Sequence, residues 1–244
     1  MNDRTRFPIV CWLLAGVLSC AQSPPSPESP NDTSRVTCGV KQRRSRNVRG
    51  EIMTSPDGKY RAYAEVDANV IPPDKSAPNA PTCVNVSRLY VGTESGGAKL
   101  VFLEEPEDVA TGNSLRLVDW SSDSRRLLVE TAMWQYEAPG TTRGILVYDA
   151  RYGTFQEPDV TRMFNRIFGM ECALNLTIEG FTPDNKVLLS TQPLAAEEEE
   201  IMAVQSCSHK RQRWVVNLAT EKPAAAPENL RVEHYAKSEV AKPR

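Results

Sequence analysis

The chain has 244 residues, of which 40% are apolar and 25% charged; that is enough to bury a core, and it excludes both a disordered chain and a multi-span membrane protein. A formal net charge of -2 lacks the basic excess of a nucleic-acid binder, so no nucleic-acid partner is expected. His209 and His234 are the only histidines, which excludes a multi-histidine metal site and leaves little for a serine or cysteine triad.

Residues 1–20 read as an export signal: Arg4 and Arg6 in a polar start, an apolar run from Pro8 to Leu18, then small residues from Ser19. The run is about eleven residues, and a membrane span needs roughly twenty. Val17-Leu18-Ser19-Cys20 resembles the bacterial lipobox, in which Cys20 is acylated and becomes the first residue. Ser19-Cys20-Ala21 also suits ordinary signal peptidase, so a secreted or periplasmic protein stays open as the alternative. Either route leaves Cys38, Cys83, Cys172 and Cys207, an even set that can pair in an oxidising compartment. Residues 21–37 carry Pro24, Pro25, Pro27 and Pro30 and read as an extended, disordered tether.

From residue 38 to 222 a unit recurs. Thr54 to Glu65, Trp120 to Thr131 and Phe181 to Thr191 align on Asp57, Asp123 and Asp184, spaced 66 and 61 residues apart. Each aspartate follows Pro56, Ser122 or Pro183 and precedes Gly58, Ser124 or Asn185, which is hairpin-turn chemistry. Strands are expected before the turns (Leu115–Trp120, Leu176–Phe181) and after them (Tyr60–Val66, Leu127–Thr131, Val187–Thr191). A long insertion then leads to a third strand (Cys83–Val91, Thr142–Asp149, Arg211–Leu218). The first two units have a further extended stretch (Lys99–Leu103, Thr154–Gln156). Helices are expected at Val160–Phe168 and within the polar tail of residues 223–244, over Glu228–Lys242.

The turns, above all Ser55-Pro-Asp-Gly-Lys59, resemble those of the TolB-like, or WD40-like, β-propeller repeat, and the resemblance spans roughly residues 46–222. It implies an all-β fold of three tandem antiparallel units like propeller blades. Such rings close with four to eight blades, so three units imply an incomplete or irregular propeller. The termini supply a degenerate fourth unit, the units form an open stack, or a second chain completes them.

Cys38 and Cys83 straddle the first turn as Cys172 and Cys207 straddle the third. Disulfides Cys38–Cys83 and Cys172–Cys207 are therefore expected among the three possible connectivities, each contributing roughly 3 to 4 kcal/mol by closing its loop.

The recurring aspartates read as structural turn residues rather than catalytic ones. Glu197 to Glu200 reads as a solvated acidic loop facing the basic run Lys210 to Arg213. Trp134 and Tyr136, beside Pro139 and Gly140, are candidate partner contacts, with a place in the core as the competing reading. Trp120 and Trp214 are expected in the core. His209 is expected in solvent.

These features predict an exported, lipid-anchored protein without catalytic residues, cofactor or metal. It would act as a protein-binding or scaffolding module in the bacterial envelope, touching the membrane only through Cys20. The partner would be another envelope protein, and sheet edges could pair between copies. The alternative is a secreted hydrolase, or a carbohydrate-binding accessory, with its site on the long insertions.

Overall fold

A computed structural model describes residues 36–38, 44–72, 82–106, 111–135, 140–169 and 172–239. The signal, Cys20, most of the tether and Tyr136 lie outside the described residues.

The alternation of small apolar and polar side chains from Tyr60 to Ile71 makes a long two-faced strand. β1 (Arg46–Arg49), β2 (Ile52–Thr54), β3 (Tyr60–Ile71), β4 (Thr82–Thr93) and β5 (Lys99–Glu104) build the first sheet, in the order β2-β3-β4-β5 with β1 also on β3. β6 (Thr111–Trp120), β7 (Arg126–Gln135), β8 (Thr142–Asp149) and β9 (Thr154–Gln156) form the second in plain sequence order. After helix α1 (Val160–Phe168) and β10 (Cys172–Ala173), the third sheet takes β11 (Asn175–Phe181), β12 (Val187–Gln192), β14 (Gln212–Asn217) and β15 (Lys222–Ala225). Between β12 and β14 lie α2 (Ala196–Met202) and β13 (Gln205–Ser206), which pairs in parallel with β10. The three main sheets are antiparallel, and none closes on itself.

The second sheet is covered on both faces, so its strands have almost no solvent side. Leu115, Leu117, Trp120, Leu127, Val129 and Leu146 pack with Ala62, Ala64, Leu89 and Val91 of the first sheet. The alternate residues Val118, Leu128, Ile145 and Val147 pack with Ile178, Phe181, Leu189 and Val216 of the third. One-residue alternation sends neighbours to opposite layers, and full burial contributes about 1.5–3 kcal/mol per large apolar side chain. Trp120, at 0% exposure, stacks on Tyr60 at a centroid distance of 5.9 Å and donates its indole N–H to the Met53 carbonyl.

Helix α1 has the expected bounds. Asp159 caps it by accepting from the Arg162 amide at 2.8 Å, and Gly169 ends it at φ 96°. Val160, Met163 and Phe164, at i, i+3 and i+4, are its buried stripe. Trp214 meets Phe164 edge-on at 5.4 Å.

Two sequence expectations are corrected. Glu197 to Glu200 lie in helix α2 rather than a loop, because carboxylates favour a helix N-terminus. There the Glu198 carboxylate accepts from the Ala195 amide at 3.2 Å. Nor is there a helix over the described part of Glu228–Lys242: residues 228–236 are irregular, and β16 (Lys237–Glu239) pairs antiparallel with β2. Lys237–Glu239 thus joins the first sheet, since the edge of β2 offers it backbone partners.

Candidate functional site

The three turns have the same interior. Ser55, Ser121 and Thr182 donate their hydroxyls to Asp57, Asp123 and Asp184 at 2.8, 2.6 and 2.6 Å. Their oxygens also accept the Tyr60, Arg126 and Lys186 amides at 3.0, 2.9 and 3.0 Å. Gly58, Ser124 and Asn185 follow at φ 77°, 61° and 58°. For Asp57, burial raises the carboxyl pKa, but the Lys59 amide, the Ser55 hydroxyl and the Lys59 ammonium outweigh it and bring it down to about 2. Asp123, where burial is again opposed by its hydrogen bonds, and Asp184, held by its bonds to Lys186 and Thr182, are lowered too.

The turns are also tied to one another, which the sequence did not show. The Asp57 amide donates to Ser124 Oγ at 3.0 Å, and Ser122 donates its amide and hydroxyl to Asn185 Oδ1 at 3.1 and 3.0 Å. In each case the residue with positive φ receives from the preceding unit. Gly58, at the same place in the first unit, has no side chain with which to receive.

Cys38–Cys83 and Cys172–Cys207 are both disulfide-bonded, in the expected pairing. Two such bonds fit an oxidising, exported environment. Among the described residues no helix is long and apolar enough to cross a membrane.

At the end of the sheets away from the turns, the second and third sheets splay around a cleft of about 950 Å³. Its walls include Asn113, Trp134, Arg143, Leu174, Ile201 and Met202. Trp134 does not offer the open surface considered above: it is 4% exposed, because its ring lies where a side chain on Gly112 would be, 2.2 Å from the position of a Cβ there. At this cleft the exposed apolar groups are instead Ile201 (57%) and Met202 (41%), on the last turn of α2. A seven-residue helix with no buried residue leaves them uncovered. A run read as acidic gave no signal for them.

Behind the cleft lies an ion triad around a buried carboxylate. Glu130, 1% exposed, accepts from Arg116 at 2.6 Å and from Arg143, while Arg116 also reaches the Ile178 carbonyl at 3.4 Å. Cross-strand pairing of Arg116 with Glu130 places the charges on the face turned to the third sheet. The basic run does not meet the acidic one: Arg211 and Arg213 pair with Glu179 at 3.3 and 2.7 Å. Glu199 instead accepts from the Ser206 amide at 2.8 Å and its hydroxyl at 2.5 Å, which lowers the Glu199 pKa. Ser206 and Ser208 are buried, and Ser208 donates to the Lys210 carbonyl at 2.5 Å. Among the described residues no group of three His, Cys, Asp or Glu side chains converges as a metal site needs.

No protein-family model matches the chain, and no curated protein matches it at a significant level.

Proposed function

We propose that this protein is an exported β-repeat module, anchored by a lipid on Cys20, that binds another protein of the bacterial envelope without catalysing a reaction. The observation that carries the binding role is the pair Ile201 and Met202, exposed side by side at the mouth of a cleft of about 950 Å³. Exposed apolar groups around a concavity supply the buried centre of an interface, and a methionine adapts its shape to a partner. Of the charged residues that line the cleft, Arg143 pairs with Glu130 and Glu198 accepts from the Ala195 amide, so the exposed apolar pair carries the contact. The three meander units are read as blades of an incomplete TolB-like propeller that stays an open stack. Gly58 supports the open form, because the first turn has no side chain to accept the bond that the later turns accept.

The test is a photo-crosslinking residue at Met202 in the full chain, expressed in its own cells, with and without Ile201→Glu. A discrete adduct that the Ile201 variant loses supports the reading. Absence of an adduct together with hydrolysis of a glycan or ester panel reverses it in favour of the secreted hydrolase. Fatty-acid labelling that Cys20→Ser abolishes tests the anchor separately.

A further inference from the structure

After β15 the chain turns back and crosses the inner edges of all three sheets, and it touches them at one position of the repeat. β6 and β11 each carry a bulge four to six residues before the turn aspartate, with register shifts at Leu117/Asp119 and Ile178/Gly180. Asp119 and Gly180 stand four residues before Asp123 and Asp184, as Met53 stands before Asp57. At Gly180, Val232 takes the space of the missing side chain, its Cγ1 2.6 Å from where a Cβ would stand. At Asp119, the amides of Tyr235 and Ala236 donate to the carboxylate at 3.2 and 2.9 Å. At Met53, Ser238 is the paired residue of β16. Tyr235 packs on the core between the second and third sheets and Ala236 on the core between the first and second.

These contacts are discrete, and the segment itself is shallow. From Leu230 to Glu239 no residue is fully buried, and Lys237, Ser238 and Glu239 are exposed. Arg61–Glu239 at 2.8 Å ties β16 through an ion pair at the surface, where such a pair contributes little. Asp119 is different: it is 0% exposed and also accepts from the Trp120 amide at 2.8 Å. His234 lies 3.7 Å from it. Segments with few buried contacts open well below the free energy of global unfolding.

We propose that Leu230–Glu239 is a releasable clasp, locked at Asp119, whose departure bares the edge of β2 while the three packed sheets stay folded. Release leaves the cleft near α2 untouched, so the clasp does not depend on the binding role proposed above.

Native-state hydrogen exchange on the full chain tests it. The Tyr235, Ala236 and Lys237–Glu239 amides should exchange as one group, about 100-fold or more faster than those of Leu128 and Leu189, reflecting a local opening. Asp119→Ala should speed the group by a further tenfold or so without changing Leu128 or Leu189, as loss of a charged acceptor predicts. Val232→Ala, which removes only half-buried methyls, should act in the same direction and serves if the Asp119 variant does not fold. Clasp amides as protected as the core in the wild type, or a variant that accelerates core and clasp equally, overturns the proposal.

Discussion

The backbone amide of Asp57 donates to the hydroxyl of Ser124 across 67 residues of sequence, joining the first turn to the second. Ser124 holds a left-handed conformation to do so, at a strain of roughly 1–2 kcal/mol. Ser124→Ala keeps that strain and loses the acceptor, so urea unfolding should show a loss of about 1–2 kcal/mol. Ser124→Gly also loses the acceptor but relieves the strain and should be nearer the wild type. Equal losses in the two variants would show that the residue's conformation is not strained.

Acid should weaken the turns. Asp57, Asp123 and Asp184 all have carboxyl pKa values below their ordinary range. A lowered folded value gives stability that is present above the unfolded value of about 3.9 and is lost as pH falls towards the folded one. For Asp57 that window runs from about 3.9 down to about 2. Burial raises the Asp119 pKa against the pull of three backbone amides, so its contribution has the opposite sign and falls as pH rises through the raised value. Three turns against one site predict a lower urea midpoint at about pH 2.5 than at about pH 5. Asp57→Asn should flatten that dependence, and an unchanged slope would contradict the assignment.

The triad around Glu130 gives a further expectation. Glu130→Ala leaves Arg116 and Arg143 without their carboxylate, but both keep about a third of their side-chain surface in water, so the loss should be about 1.5–3 kcal/mol, the usual contribution of hydrogen bonds to a charged group. Removing all three charges together with apolar residues of similar volume should cost much less. Chemical unfolding of the two variants side by side separates the energy of the pair from the penalty of stranding its partners.

Opening Cys172–Cys207, which closes 35 residues, should cost about 4 kcal/mol through the freedom regained by the unfolded chain. The double serine variant should show it as a lower melting temperature. Because Cys172 also lines the cleft, crosslinking at Met202 should be measured on the same variant.

Much of the strand order was legible. Ser-Pro-Asp-Gly chemistry marks a corner through local hydrogen bonds; the apolar runs after the corners become β3, β7 and β12, and those before the second and third become part of β6 and β11. The bounds of α1 follow from its Asp cap and apolar spacing, and the cysteine pairing from the repeat. Less visible was whatever depended on neighbours distant in sequence. In the sequence Trp134 stays open between core and surface because Gly112, which makes room for its ring, comes from another strand. Glu130 and Asp119 look like ordinary strand-end polar residues until β6, β7 and the C-terminal segment are brought together.

By itself the sequence determined a thrice-repeated sheet unit, its corners and its covalent bridges, because turn propensity, alternation and phase are carried by residues close together in the chain. Tertiary structure alone decided which face each strand buries, how one turn bonds the next, and that the last ten described residues cross three sheets instead of trailing free. Those outcomes depend on long-range packing and on satisfying buried polar groups, and a carboxylate such as Asp119 finds its amide donors only after the sheets have assembled.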